Sequence, residues 1–181
     1  MNSCCLESLN ASHDRAAFNC GTETLNRFLQ QVARQHSERS IARTYVLVDE
    51  KAIPPKPILG FFALSACEVE SENFPPAVGK KLPRKVPAAR LGRLAVSKDH
   101  QGKGFGAALL IAAFKKTVLA SELVGMSALF VDAKDEHAAA FYRHYGFVPL
   151  HSHPLTLFLM REDVEKTVAS TQAQGADRTY G

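Results

Sequence analysis

Gln101, Gly102, Gly104 and Gly106 lie where the apolar stretch Arg93-Leu-Ala-Val96 gives way to the apolar run Ala107–Phe114. Glycine adopts left-handed backbone angles at no steric cost, so a turn of this composition aims several backbone N–H groups into one concavity. A helix starting behind the turn adds its own unpaired N–H groups and the positive end of its dipole. The chemistry served by such a cradle is the binding of a diphosphate. Spacing leaves three readings. A nucleoside-triphosphate loop needs Gly-x-x-x-x-Gly-Lys-Ser/Thr, but Gly106 is followed by Ala107-Ala108, with neither the lysine nor the Mg²⁺-binding hydroxyl. A dinucleotide fingerprint needs Gly-x-Gly-x-x-Gly at the first strand and an acid about 20 residues on. Gly102-x-Gly104-x-Gly106 has a different spacing and comes mid-chain. The third reading is a tight turn that binds nothing.

The rest of the composition narrows the classes. Cys4, Cys5, Cys20 and Cys67 form no Cys-x-x-Cys pair and no metal-ligand spacing. They read as free thiols in a reducing compartment, with no metal site. A net charge of +4 suits an anionic cofactor or nucleic acid and demands neither. The N-terminus has no basic segment followed by an apolar run, the pattern of a signal peptide. The longest apolar run ends at Lys115-Lys116, far short of the roughly 20 residues that cross a bilayer. A cytoplasmic protein without a membrane association is expected.

The elements that must position the turn follow from periodicity. With 181 residues the chain suits one domain over residues 1–161, followed by a polar and flexible tail over 162–181. Leu6–Leu9 reads as a short strand, and Asn10–Gly21 as a loop anchored by Phe18. Thr22 or Thr24 can cap a helix in which Leu25, Phe28, Leu29 and Val32 recur at helical spacing. Arg27, Gln31 and Arg34 lie on its other, solvated face. Thr44–Val48 and Leu59–Val69 read as strands of a hairpin around the proline-rich Lys51–Pro57. Ser71–Pro87 reads as a long surface loop with one helical turn near Val78–Leu82. Leu91–Val96 is the strand before the glycine turn. Gly106–Leu119 is a helix with Leu109, Leu110, Ala113, Phe114 and Thr117 inward. Ala128–Asp132 is a buried strand. Asp135 caps a helix over Glu136–Tyr145, and Gly146 suits its left-handed terminus. Phe147–Leu150 and Thr156–Met160 complete an order of roughly βαβββαβαββ. That order gives an α/β fold (α+β in some schemes) with a mixed central sheet and helices on both faces.

Gln101-x-x-Gly104-x-Gly106 resembles the acyl-CoA pyrophosphate loop of the GNAT N-acetyltransferases. The preceding strand and Phe141-Tyr142-x-x-x-Gly146-Phe147 resemble that superfamily too. Further segments resemble the GNAT toxins of bacterial type II toxin–antitoxin pairs. These are Phe18-x-Cys20-Gly21-x-x-x-Leu25-x-x-Phe28-Leu29, Arg43-Thr44-Tyr45-Val46, Arg90-Leu-Gly-Arg-Leu-Ala-Val96, Val131-Asp-Ala-Lys134 and Pro154-Leu-Thr-Leu157. The likeness spans about Phe18 to Leu159.

The resemblance implies a GNAT fold, in which two neighbouring parallel strands, here Leu91–Val96 and Ala128–Asp132, splay into a V-shaped slot. It implies acetyl-CoA as cosubstrate, with Leu94, Ala95 and Val96 along the pantetheine arm. Gln101, Gly102, Lys103, Gly104, Phe105, Gly106 and Ala107 would hold the pyrophosphate. Tyr142 matches the tyrosine that protonates the leaving thiolate, with Tyr145 structural. The acceptor implied is the α-amine of an aminoacyl-tRNA, whose acetylation stops translation. An α-amine beside an ester is mostly deprotonated near neutrality and needs little base. Glu68 and Glu70, the carboxylates near the place where many GNAT enzymes keep a base, read as strand-end surface charges. Arg27, Arg34, Lys80, Lys81, Arg84, Lys85, Arg90 and Arg93 are the cations distributed to meet tRNA phosphates. A homodimer and a ribbon-helix-helix antitoxin are implied as partners. Two alternatives share the CoA turn: a GNAT enzyme for a small amine or a protein N-terminus, and a non-catalytic acyl-CoA module.

Overall fold

The computed structural model describes the backbone of residues 3–176 and the side chains of residues 3–171. The strands are β1 (Cys4–Ser8), β2 (His13–Asp14), β3 (Arg43–Asp49), β4 (Lys56–Pro57), β5 (Gly60–Glu70), β6 (Lys85–Val96), β7 (Ala128–Asp132), β8 (Val148–Pro149) and β9 (Thr156–Met160). The α-helices are α1 (Glu23–Arg27), α2 (Ala33–Glu38), α3 (Pro76–Gly79), α4 (Phe105–Leu123), α5 (Glu136–His144) and α6 (Arg161–Ala176). Seven strands form one sheet in the order β1-β3-β5-β6-β7-β9-β8, and β2 pairs with β4 separately. The domain expected over residues 1–161 is built as two compact units, and the long strands β5 and β6 run through both.

The first unit comprises Met1–Ser65 and Leu91–Ala113. Here β3 pairs antiparallel with β1 and β5, placing Val46 opposite Phe61. The apolar spacing after Gly21 does form a helix, but it is not uniform. A π-helical segment, Phe28–Val32, joins α1 to α2, and the Ala33 N–H reaches back to the Phe28 carbonyl. The wider turn lets Phe28, Leu29 and Ala33 all be buried with Phe18, Val46, Phe61 and Ala95. Phe18 meets Phe61 edge to face at 5.4 Å, which makes it the anchor expected of it. Thr22 occupies the N-cap position of α1 without a side-chain capping bond, contrary to expectation. That N-terminus is organised by the asparagines described below. Gly60 is required by close packing: a Cβ there would lie 2.9 Å from the Ala95 carbonyl oxygen and 2.7 Å from Leu109 Cδ1.

The second unit comprises Ala66–Arg90 and Phe114–Gly181. Its core gathers Val69, Phe74, Val86, Ala88, Phe130 and Phe158, with Phe74 edge-on to Phe158 at 4.9 Å. The stretch expected to be a loop over Ser71–Pro87 holds a 3₁₀ turn, Ser71–Asn73, then α3, and yields to β6 at Lys85 rather than Leu91. Val86 and Ala88 alternate inward there, and the Pro87 carbonyl accepts from Ser127 N–H at 2.9 Å. Asp135 caps α5 by accepting from Ala138 N–H at 2.8 Å, and Gly146 closes it at φ +91°.

A second correction concerns the tail. Residues from Arg161 form α6 up to Ala176; residues 177–181 lie outside the described residues. Glu162 and Asp163 stand in its first turn, where negative charge suits the helix dipole. Val164 is fully buried, and Arg161 Nε donates to Ser121 Oγ at 2.8 Å. One buried valine among polar residues leaves little periodicity to read.

Candidate active site

The glycine turn belongs to the first unit. Strand β6 ends at Val96, a 3₁₀ turn occupies Lys98–His100, and α4 begins at Phe105. Gly102 and Gly104 take φ of +73° and +81°, and a Cβ at either would meet nothing within 4 Å. Backbone angle, not space, therefore demands glycine at both positions. The first bond of the helix runs from Ala108 N–H to the Gly104 carbonyl at 3.1 Å. The N–H groups of Phe105, Gly106 and Ala107 consequently have no acceptor within the helix and face its positive end. Unpaired N–H groups of this kind are suited to an anion.

The side chains of the turn act differently from expectation. Gln101 Nε2 donates to the Val96 carbonyl at 3.0 Å and to the Cys20 carbonyl at 2.9 Å. It fastens the turn to the end of β6 and to the loop before α1. Lys103 Nζ donates to the Asp99 carbonyl at 2.7 Å, inside the turn itself. Beneath lies a polar network that sequence reading missed. Asn26, buried on α1, accepts from Cys20 N–H at 2.8 Å and donates to Asn19 Oδ1 at 3.1 Å. Asn19 Oδ1 also accepts from Gly21 N–H at 2.9 Å. An asparagine one residue after an apolar Leu25, on a helix too short to bury much, was the available signal.

Of the backbone expected to lie along pantetheine, Leu94 and Val96 are half-buried and Ala95 is buried. On the same strand the Arg93 guanidinium carbon lies over Phe28, 3.9 Å from the ring centroid. Burial alone pulls its pKa below the usual arginine value.

Five of the other cations meet acids, whereas Lys80 and Lys81 have no ion pair among the described residues. Arg27 pairs with Glu23 at 3.7 Å and Arg34 with Glu38 at 2.8 Å. In the second unit Arg84 meets Glu70 at 3.4 Å and Lys85 meets Glu68 at 3.0 Å. Glu68 and Glu70 are thus engaged as surface partners, in keeping with the surface reading. Arg90 is held more firmly. Burial opposes its charge, but Asp132 more than offsets this and raises its pKa, with the Cys67 thiol also in contact. Asp132 in turn accepts from Thr156 Oγ1 at 2.9 Å. Exposed pairs of this kind are weak and screened by salt, and Arg90 is the most enclosed of these cations.

Tyr142 belongs to the second unit, on the buried side of α5 with Ala139. Only 7% of its surface is exposed, and it meets Phe141 and Phe147 edge to face at 5.2 and 5.6 Å. Burial pushes its hydroxyl up to about 12. The phenol is therefore protonated near neutrality, as a general acid must be. Among the described residues no hydrogen bond ties that hydroxyl to the protein. Tyr145 is the C-cap of α5 and packs on Phe141 at 5.2 Å, a structural place. Among the described residues no group of three His, Cys, Asp or Glu side chains is placed to hold a metal, and no helix is long and apolar enough to cross a membrane.

Residues 40–149 match the family model described as an acetyltransferase (GNAT) domain. The chain is 30% identical over 155 residues to the "tRNA-acetylating toxin" of Mycobacterium tuberculosis (strain ATCC 25618 / H37Rv), covering 86% of this chain and 90% of that protein. It superimposes on the solved structure of AtaT complexed with acetyl-methionyl-tRNAfMet with a TM-score of 0.82 at 33% identity, covering 90% of this chain and 98% of that one. A tyrosine-to-phenylalanine mutant of AtaT, bound to the C-terminus of the antitoxin AtaR and acetyl-CoA, gives a TM-score of 0.77 at 32% identity, covering 90% and 96% of the two chains.

Proposed function

The chain belongs to the acetyltransferase (GNAT) family, and on that premise we propose that it moves acetyl from acetyl-CoA to the α-amine of the amino acid on charged tRNA. It does so as the toxin of a type II toxin–antitoxin pair, and the modified aminoacyl group stops translation. The observation that carries this is the likeness to AtaT in complex with acetyl-methionyl-tRNAfMet, which covers 90% of the chain at 33% identity.

The chemistry follows from the residues. The N–H groups at Gly102–Ala107 take the pyrophosphate of acetyl-CoA, and the backbone at Leu94–Val96 runs along its pantetheine arm. The amine nitrogen attacks the acetyl carbonyl, and a backbone N–H near Val96 stabilises the oxyanion. The C–S bond breaks as the amide forms. The departing thiolate takes its proton from the Tyr142 hydroxyl, the attacking nitrogen loses one to solvent as it becomes the amide, and the Tyr142 phenolate regains one from solvent. The ester beside the α-amine keeps that amine largely unprotonated, so no protein base is needed. The cations Arg27, Arg34, Lys80, Lys81, Arg84 and Lys85 contribute sequence-independent attraction to tRNA phosphates. The protein works in the cytoplasm as a homodimer and is silenced by a ribbon-helix-helix antitoxin. The antitoxin fragment on AtaT supports this partner.

Labelled acetyl-CoA incubated with the purified protein and total tRNA tests the reading. Label is expected on charged tRNA and absent from uncharged tRNA, and the mass of the released acetyl-aminoacyl group names the amino acid. Equal labelling of both, or of a lysine peptide instead of either, overturns it.

A further inference from the structure

The cations assigned to tRNA differ in what already occupies them. Arg27, Arg34, Arg84, Lys85 and Arg90 each face a carboxylate. Arg93 does not. Its guanidinium lies 3.9 Å from the Phe28 centroid, and among the described residues none of its five N–H donors meets an acceptor. The group is half-buried, and that partial desolvation lowers its pKa with no carboxylate among the described residues to offset it. An arrangement of that kind carries a desolvation cost that a bound anion removes.

The surface beneath Arg93 is rigid. Phe28 opens the π-helical segment and is 3% exposed. It stacks on Phe61 at 6.1 Å and meets the His36 ring edge to face at 5.8 Å. The guanidinium carbon packs on the Phe28 ring, and its fork of donors has no acceptor among the described residues. A planar fork suits the paired oxygens of a phosphate. The acceptor substrate offers no α-carboxylate, because that group of its amino acid is an ester. The phosphates of acetyl-CoA have their own cradle at Gly102–Ala107.

We propose that Arg93, laid on Phe28, binds a phosphodiester at the 3′ end of charged tRNA and so selects a nucleic-acid ester over other amines. The inference rests on the tRNA reading above and adds the residue that recognises the acceptor.

Substrate truncation tests it. Charged tRNA and an aminoacyl-adenosine present the same α-amine and ester, but the second has no phosphodiester. Arg93→Gln is expected to lower kcat/KM on charged tRNA by roughly 10- to 100-fold, the factor a charge-assisted hydrogen bond supports. On aminoacyl-adenosine the variant should match wild type, and the KM for acetyl-CoA should not move. Arg93→Lys, which keeps the charge and loses the fork, should fall between. Equal losses on both substrates would reduce Arg93 to a prop for Phe28 and overturn the inference, as would no loss on either. A changed KM for acetyl-CoA alone would assign the group to the cofactor and overturn it too. Should Arg93→Gln melt early, Phe28→Leu keeps the apolar filling, removes the ring face and must give the same substrate-dependent pattern. Wild-type protein that acetylates aminoacyl-adenosine and charged tRNA equally well sinks this inference alone. Wild-type protein inactive on both sinks the tRNA reading beneath it.

Discussion

The turn at residues 101–106 and helix α5 are both assigned to one reaction, yet they are built by opposite means. The turn offers backbone groups, and its side chains look inward: Gln101 to the Cys20 and Val96 carbonyls, Lys103 to Asp99. Helix α5 offers one side chain, the Tyr142 phenol, which is buried with Ala139 while most of the helix is exposed. A backbone site tolerates almost any side chain that allows its angles. A side-chain site depends on a single atom. Substitutions should therefore hurt the two regions through different parameters.

The largest effect is expected at the single atom. Tyr142→Phe removes the proton donor and should lower kcat by about 10²- to 10⁴-fold. Acetyl-CoA affinity by calorimetry and the melting temperature should stay near wild type. Near-normal turnover would erase the contrast. Next comes the support under the turn. Asn26→Ala strands the Cys20 N–H in a buried place and should cost about 1–3 kcal/mol of stability in a urea melt. The acetyl-CoA that still binds should turn over normally. Gly104→Ala forces a β-carbon into left-handed angles at roughly 1–2 kcal/mol, visible as about tenfold weaker acetyl-CoA binding with kcat unchanged. The smallest effect is a pH response that should not occur. Because burial raises Tyr142 to about 12, its acid form persists, and kcat should not fall between about pH 8 and 10 through this residue. A fall there that Tyr142→Phe abolishes would mean a phenol less buried than the packing implies.

The same contrast explains what could be read from the residues alone. The glycines at 102, 104 and 106 suggested a backbone site, but the turn alone left open a tight turn that binds nothing, and the resemblance of the wider motif pointed it to acyl-CoA. The inward face of α4 was legible because Leu109, Leu110, Ala113, Phe114 and Thr117 recur at helical spacing, and all five are buried. Tyr142 was different. Its helix shows Phe141, Tyr142 and Tyr145 on neighbouring faces, and only resemblance to a family singled one out. Three features stayed hidden for physical reasons. The start of β6 was masked by Pro87, which reads as loop although Val86 and Ala88 alternate inward. Helix α6 carries one buried valine, too few apolar residues to set a period. The π-helical segment depends on the packing of Phe28 and Ala33 against the sheet, a tertiary effect that local spacing does not encode.

The Gln101 amide links its turn to Cys20 across 81 positions of chain. Closing so long a loop has an entropy cost and depends on the earlier segment being in place first. During synthesis that segment leaves the ribosome well before the turn exists. The turn proposed to cradle the cofactor is thus assembled late onto a seat made early. A chain that began after Gly21 would keep every glycine of the cradle and lose the seat, and with it the shape that makes those glycines useful.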